Sequence, residues 1–375
     1  MLPAIPANFG RLTDVFVSSL GAIIGADNRL NFRPARRVIA VLVDGLGAHN
    51  LKAAGGHAPL LNQVLAKSKA ISCGFPSTTA TSIASFGTGL AAGQHGLVGY
   101  KLYDRSDGTT FNLLNGWDGV RTPELWQPHD TVSQKAIAAG VGAYFIGPRA
   151  YEGSDFTRAT MRGASYLAAK SITDRFDQAS QLLRSDRGDW LTYLYVPELD
   201  QIAHSHGVAS IPWTEALEEL NSAVQRLSSQ LGRSDAMLVT ADHGVVDVKP
   251  HQQILLDEMP LDWSLVASVA GDPRVNYLYL HDSAVSPELN TALQEQLGDR
   301  ALVLTAEEVL TAGWFGQASD DTLRRLPDLF ALATKNVALY HREHAPATSL
   351  NMIGQHGGLN ATELTIPLLG FGAFA

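Results

Sequence analysis

Cysteine is nearly absent from this 375-residue chain, with Cys73 alone, which excludes an intrachain disulfide framework and suits a reducing compartment. No basic residue stands next to Cys73 to lower its pKa, so it reads as a small buried hydrophobe rather than a thiolate nucleophile. Long apolar runs are also missing. Val15 to Ala26 is apolar but too short to span a bilayer and lacks the basic flank of a secretory signal. The expectation is a cytoplasmic protein with no membrane partner. There is no Lys/Arg stripe, and the net charge is -9, which excludes a nucleic-acid duplex held through counterion release. Neither the Gly-Lys-Ser/Thr of a phosphate-binding loop nor a G-x-S-x-G nucleophile elbow occurs. The string DGLGAHN resembles a dinucleotide fingerprint only in part, because Asn50 stands where its third glycine belongs; an oxidoreductase would in addition have to bind nicotinamide.

What is present describes a globular chain with a large core, 45% hydrophobic and 17% charged. Val38 to Val43, Leu191 to Val196 and Met237 to Thr240 are continuous apolar runs, the mark of strands covered on both faces. Between them Leu217, Leu220, Val224, Leu227 and Leu231 recur at helical spacing, with Thr214 expected to cap the helix and Gly232 to close it. Strands alternating with helices predict an α/β fold: a doubly wound, mostly parallel central sheet with helices on both faces. From 261 to 335 the texture changes to strand, helix and strand, expected as a small α+β insertion within a single domain spanning 1–375. Thr365 to Phe374 reads as a strand returning to the central sheet.

Three predicted strands end in acid. Asp44 follows Val43, Asp200 lies four residues beyond Val196, and Asp242 comes two after Thr240. In open α/β sheets the carboxyl edge is where ligands bind. Asp200 and His204 are one helical turn apart and could share an ion. Asp242 is followed by His243, and His356 lies among glycines that let the backbone approach closely. Mixed imidazole and carboxylate ligands suit zinc, with manganese or iron as substitutes, and six ligands suit two ions. A pair roughly 4 Å apart could clamp an in-line displacement at phosphorus. His49 and His206 read as polar neighbours. The stretch CGFPSTTATS could be a turn with a capped helix, or could place a threonine at a helix N-terminus where phosphate is favoured; Gly87 and Gly89 are expected to end that helix.

The ordered motifs VDGLG at Asp44, FPSTTATS with GTGLAAGQHG from Thr78 to Gly96, LDQIAH at Asp200, ADHG at Asp242 and GQHGG at His356 resemble the alkaline phosphatase superfamily. Within it, the chain is similar to the nucleotide pyrophosphatase/phosphodiesterase branch. The resemblance implies one zinc held by Asp44, Asp242, His243 and the nucleophile Thr79, and another held by Asp200, His204 and His356. It also implies a phospho-threonine intermediate, with Thr78 beside the substrate. Where the branch carries an asparagine that binds a phosphate oxygen, five residues after His95, this chain has Tyr100, which either contacts phosphate or packs at the rim. The expected substrate is a small phosphodiester or nucleotide. Alternatives are a phosphomonoester, a phosphonate, or a silent protein that keeps metals as staples. Tyr100, Tyr103, Phe111, Trp117 and Trp126 could wall a nucleotide base or could be core.

Overall fold

Six strands form the central sheet in the order Leu368–Gly372, Asp235–Ala241, Arg37–Val43, Trp190–Val196, Gly142–Gly147, Ser165–Ala168. Only Leu368–Gly372 runs antiparallel to its neighbour. The chain is described by a computed structural model over residues 10–375. Trp190–Val196 and Asp235–Ala241 are buried at every position, as their largely apolar sequences require. The central strand Arg37–Val43 pairs Val43 with Val196 on one side and with Ala241 on the other. The three strands therefore stop level with one another, and the acids that follow them start from one edge.

The long helix runs from Ile211 to Ser228, starting earlier than the hydrophobic periodicity indicates. Ser210, not Thr214, caps it, its Oγ accepting from the Trp213 N–H at 3.4 Å, and Pro212 fits the first turn, where no N–H is needed. Gly232 lies beyond the helix end, its N–H bonded to Asp235.

The helix Thr79–Thr88 ends at Gly89 in the left-handed conformation (φ 73°). Gly87 does not end it but allows a close crossing: a Cβ there would lie 2.2 Å from the Thr160 carbonyl of helix Asp155–Met161.

Within residues 261–335, strands Val266–Asp272, Val275–Leu280, Leu329–Ala333 and Ala301–Thr305 form an antiparallel sheet in that order, joined by helix Ser286–Leu297. Val269, Leu278, Leu293 and Val303 belong to a hydrophobic cluster separate from the main core. Arg274, in the turn after Asp272, makes a fully buried ion pair with Glu363 at 2.8 Å, and Glu363 in turn accepts from the Gly358 N–H at 2.8 Å. This pair ties the sheet to the loop that carries His356.

Candidate active site

Asp44, Asp200, Asp242 and His243 gather at the carboxyl edge of the three central strands. Gly45 turns the chain there at φ 73°, donates to Asp242 at 3.2 Å, and leaves room for Asp200, which a Cβ would meet at 3.0 Å. Asp200 and His204 share a face of helix Glu198–His206, with His204 Nε2 3.0 Å from Asp200. His356 Nε2 lies 3.9 Å from the other Asp200 oxygen. His243 Nε2 lies 3.3 Å from Asp44 and 3.6 Å from Asp242, and its ring stacks on His356 with centroids 3.8 Å apart.

All three imidazoles are held by backbone carbonyls at Nδ1: His204 by Gly354 at 2.8 Å, His356 by Ser77 at 3.1 Å and His243 by Gly244 at 3.3 Å. Each ring thus turns Nε2 to the acids, the outer-shell arrangement of metal-binding histidines. Asp44 Oδ1, Asp200 Oδ1 and Asp242 Oδ2 are buried without hydrogen-bond partners among the described residues. Such orphaned oxygens are costly unless a cation meets them. Ligand atoms of Asp44, Asp242 and His243 lie within 4.8 Å of one another, and so do those of Asp200, His243 and His356. The donor set fits transition-metal ions. His243 stands between the two groups, while His204 engages the second carboxylate oxygen of Asp200.

Charge in the cluster is frustrated. Burial, then repulsion from Asp242 and Asp200, raises the Asp44 pKa well above the carboxylate range. Burial, then Asp200, pushes Asp242 up to about 7. At Asp200 burial acts in the same direction but is outweighed by His204, His356 and His243, and the net shift is downward. Burial followed by His356 lowers His243, and burial lowers His356. His204 resists its own burial through Asp200 and is raised to about 9. Three acids in this space need positive charge beyond what one imidazolium supplies.

Thr79 opens its helix with Oγ1 3.1 Å from His243 Nε2, inside the acid cluster. The hydroxyls around it do not serve as caps. Thr78 occupies the cap position, yet its Oγ1 donates to Asp272 at 2.9 Å, and Ser77 donates to the Gly358 carbonyl at 2.7 Å. The first-turn N–H groups beside Thr79 are thus left for an anion.

Thr78, Thr79, Tyr100, Asp200, His204 and His356 line one cavity of about 370 Å³. A second, of about 470 Å³, adjoins it, sharing Thr79, Leu114, Tyr151 and Tyr195 and adding Trp117. Of the other expected aromatics, Phe111 and Trp126 pack edge-on with Trp117, and Tyr103 packs against Tyr279. His49 and His206 are exposed. His95 is a buried neutral residue whose Nδ1 accepts from the Leu97 N–H, its pKa lowered to about 3 by burial. Cys73 is buried and its thiol pKa is raised well above normal, first by burial.

Sequence reasoning missed Tyr195, which donates to Asp44 from within the apolar run of its strand, and Asp272, which lies outside every motif. Asp272 lines the main cavity, and burial pushes it up to about 7 despite the Thr78 hydrogen bond. Its folded pKa exceeds the unfolded value, so the folded chain holds an extra proton between about pH 4 and 7. That contribution to stability is present in full below pH 4 and is lost as pH rises through 7. Asp272→Asn keeps an acceptor for Thr78 but cannot ionise, so thermal unfolding from pH 5 to 8 should depend less on pH than in the parent; identical profiles would exclude this account.

A mostly parallel sheet that gathers acids and imidazoles at its carboxyl edge around a helix-terminal threonine defines a phosphoester hydrolase of the alkaline phosphatase superfamily. The model of the family described as type I phosphodiesterase/nucleotide pyrophosphatase matches residues 38–359, and the chain belongs to that family. No curated protein matches the sequence. Among solved structures, an inactive murine ectonucleotide pyrophosphatase/phosphodiesterase 5 in complex with AMP superposes with a TM-score of 0.71 at 19% identity, covering 90% of this chain and 88% of that one. The human counterpart gives 0.69 at 20%, covering 89% and 87%. Phosphonoacetate hydrolase from Sinorhizobium meliloti 1021, in complex with phosphonoformate, gives 0.68 at 21%, covering 90% and 91%. At these identities the likeness is one of fold.

Proposed function

We propose that the chain hydrolyses phosphodiesters or nucleotide pyrophosphate bonds, with Thr79 as nucleophile and two divalent ions, zinc foremost, held by the Asp44/Asp242/His243 and Asp200/His204/His356 groups. The observation that carries this reading is the Thr79 hydroxyl, 3.1 Å from His243 Nε2 at an uncapped helix N-terminus. A protein keeping metals only as staples has no need of a hydroxyl there. When bound, the ions would neutralise the carboxylates and ease proton loss from the Thr79 hydroxyl and from water. Thr79 Oγ forms a bond to phosphorus while the bond to the leaving oxygen breaks, and the leaving group departs with the electron pair and takes up a proton. Water then displaces Thr79 Oγ, and two inversions give net retention. The first-turn N–H groups hold the phosphoryl oxygens. The Trp117/Tyr151 cavity offers an aromatic wall to a base or other apolar group. The reading treats the chain as one α/β domain whose inserted residues 261–335 supply Asp272 to the cavity wall, and it places the protein in the cytoplasm. Among the described residues no helix is long and apolar enough to cross a membrane.

Diesters should be favoured over monoesters, because neither cavity has an arginine among its lining residues to meet a dianion. A kcat/KM for nitrophenyl phosphate above that for its methyl or nucleotidyl diester would refute this preference. Tyr100→Phe in the same assay separates a phosphate contact from simple packing. One observation favours a second reading, a phosphonate that carries its own anion: Lys101 lines the cavity. Turnover of phosphonoacetate without turnover of any diester would select it.

A further inference from the structure

A further group of side chains able to ligate a metal stands outside the acid cluster, with His341 and His344 on the cavity wall. His341, Glu343 and His344 follow strand Ala338–Tyr340 in a tight turn in which the His344 and Ala345 N–H groups bond to the His341 carbonyl, at 3.0 and 2.9 Å. The turn brings the two rings within 4.8 Å, centroid to centroid. One ligand atom from each of His341, Glu343 and His344 lies within 4.8 Å of the other two. His341 is only 6% exposed, packs edge-on against Trp263, and its Nδ1 is buried with no hydrogen-bond partner among the described residues. A buried ring nitrogen left unbonded costs free energy that a bound cation would recover. Glu343 is exposed and free to swing in and complete a set of ligands.

We propose that His341, Glu343 and His344 form a third metal site, for a divalent transition ion, on the wall of the cavity that Thr79 lines. Two imidazoles and one carboxylate are a donor set that zinc accepts with a coordination position left open. Burial lowers the pKa of both histidines, which keeps the rings neutral as ligands must be. The nearest cations do not forbid the ion. Arg342 is paired with Asp257 at 2.6 Å and Glu258 at 3.0 Å. Lys101 opposes a bound ion from the same wall, and it also disfavours protonation of His344. His341 and His344 line the cavity, so the ion would add positive charge to the chamber where substrate is read.

The site is tested by equilibrium dialysis of the full chain against buffered Zn²⁺, counting metal per chain. Wild type should hold one more equivalent than His341→Ala. Glu343→Gln, an exposed substitution that leaves the fold alone, should weaken that same equivalent by more than about tenfold, the lower end of what even outer-shell partners are worth. Asp44→Asn should lose a different equivalent and keep this one. The proposal is overturned if wild type, His341→Ala and Glu343→Gln bind zinc alike. Failure of the catalytic reading would look different, with Asp44→Asn unchanged in metal content while the His341 effect persists.

Discussion

Thr79→Ala is expected to lose at least about a thousandfold in kcat, as nucleophile deletions do, while its circular dichroism and unfolding transition stay those of the parent. The side chain is largely buried, but the substitution removes a methyl and a hydroxyl that bonds to His243, so little packing is at stake. Thr79→Ser should retain part of the activity, since a primary hydroxyl at the same place can still attack. Thr78→Ala should be far milder, because Thr78 Oγ1 is engaged with Asp272 and lies one residue before the helix. Trapping with substrate at low pH and mapping the modified peptide decides between the two threonines. Phosphate on Thr78, or inversion at a chiral phosphorus, would sink the assignment.

Metal removal should have an effect as large. Dialysis against a chelator is expected to abolish turnover, and zinc to restore it. The stripped chain should also unfold at lower temperature, since a ligand at a hundred times its Kd stabilises the native state by about 3 kcal/mol. Asp44→Asn or Asp242→Asn should empty one position and Asp200→Asn or His356→Ala the other, each leaving the enzyme inactive. His243 touches both groups, so His243→Ala should weaken both. Active protein that contains no transition metal on elemental analysis, or only magnesium, would remove the basis for this prediction.

The placement of the acids and of His204 was legible in the chain because they sit at strand ends and at one helical turn. Asp44, Asp242 and the Asp200/His204 pair could be placed by apolar runs and i,i+4 spacing, which are local properties. The strands Gly142–Gly147 and Ser165–Ala168 did not stand out, being short and only partly buried. The capping roles of Thr214 and Gly87 were misjudged because a cap depends on what the hydroxyl or backbone meets, and for Gly87 that is the carbonyl of another helix. Tertiary structure alone decided how the candidate ligands divide. Whether His243 belongs to one group or bridges two depends on the ring stacking that brings His356 within 3.8 Å of it, from more than a hundred residues away in sequence. Asp272 and the His341/Glu343/His344 group carry no motif. Their approach to the cavity depends on the second sheet, the turn after Ala338–Tyr340 and the buried Arg274–Glu363 pair, contacts between segments far apart in the chain that no local pattern encodes.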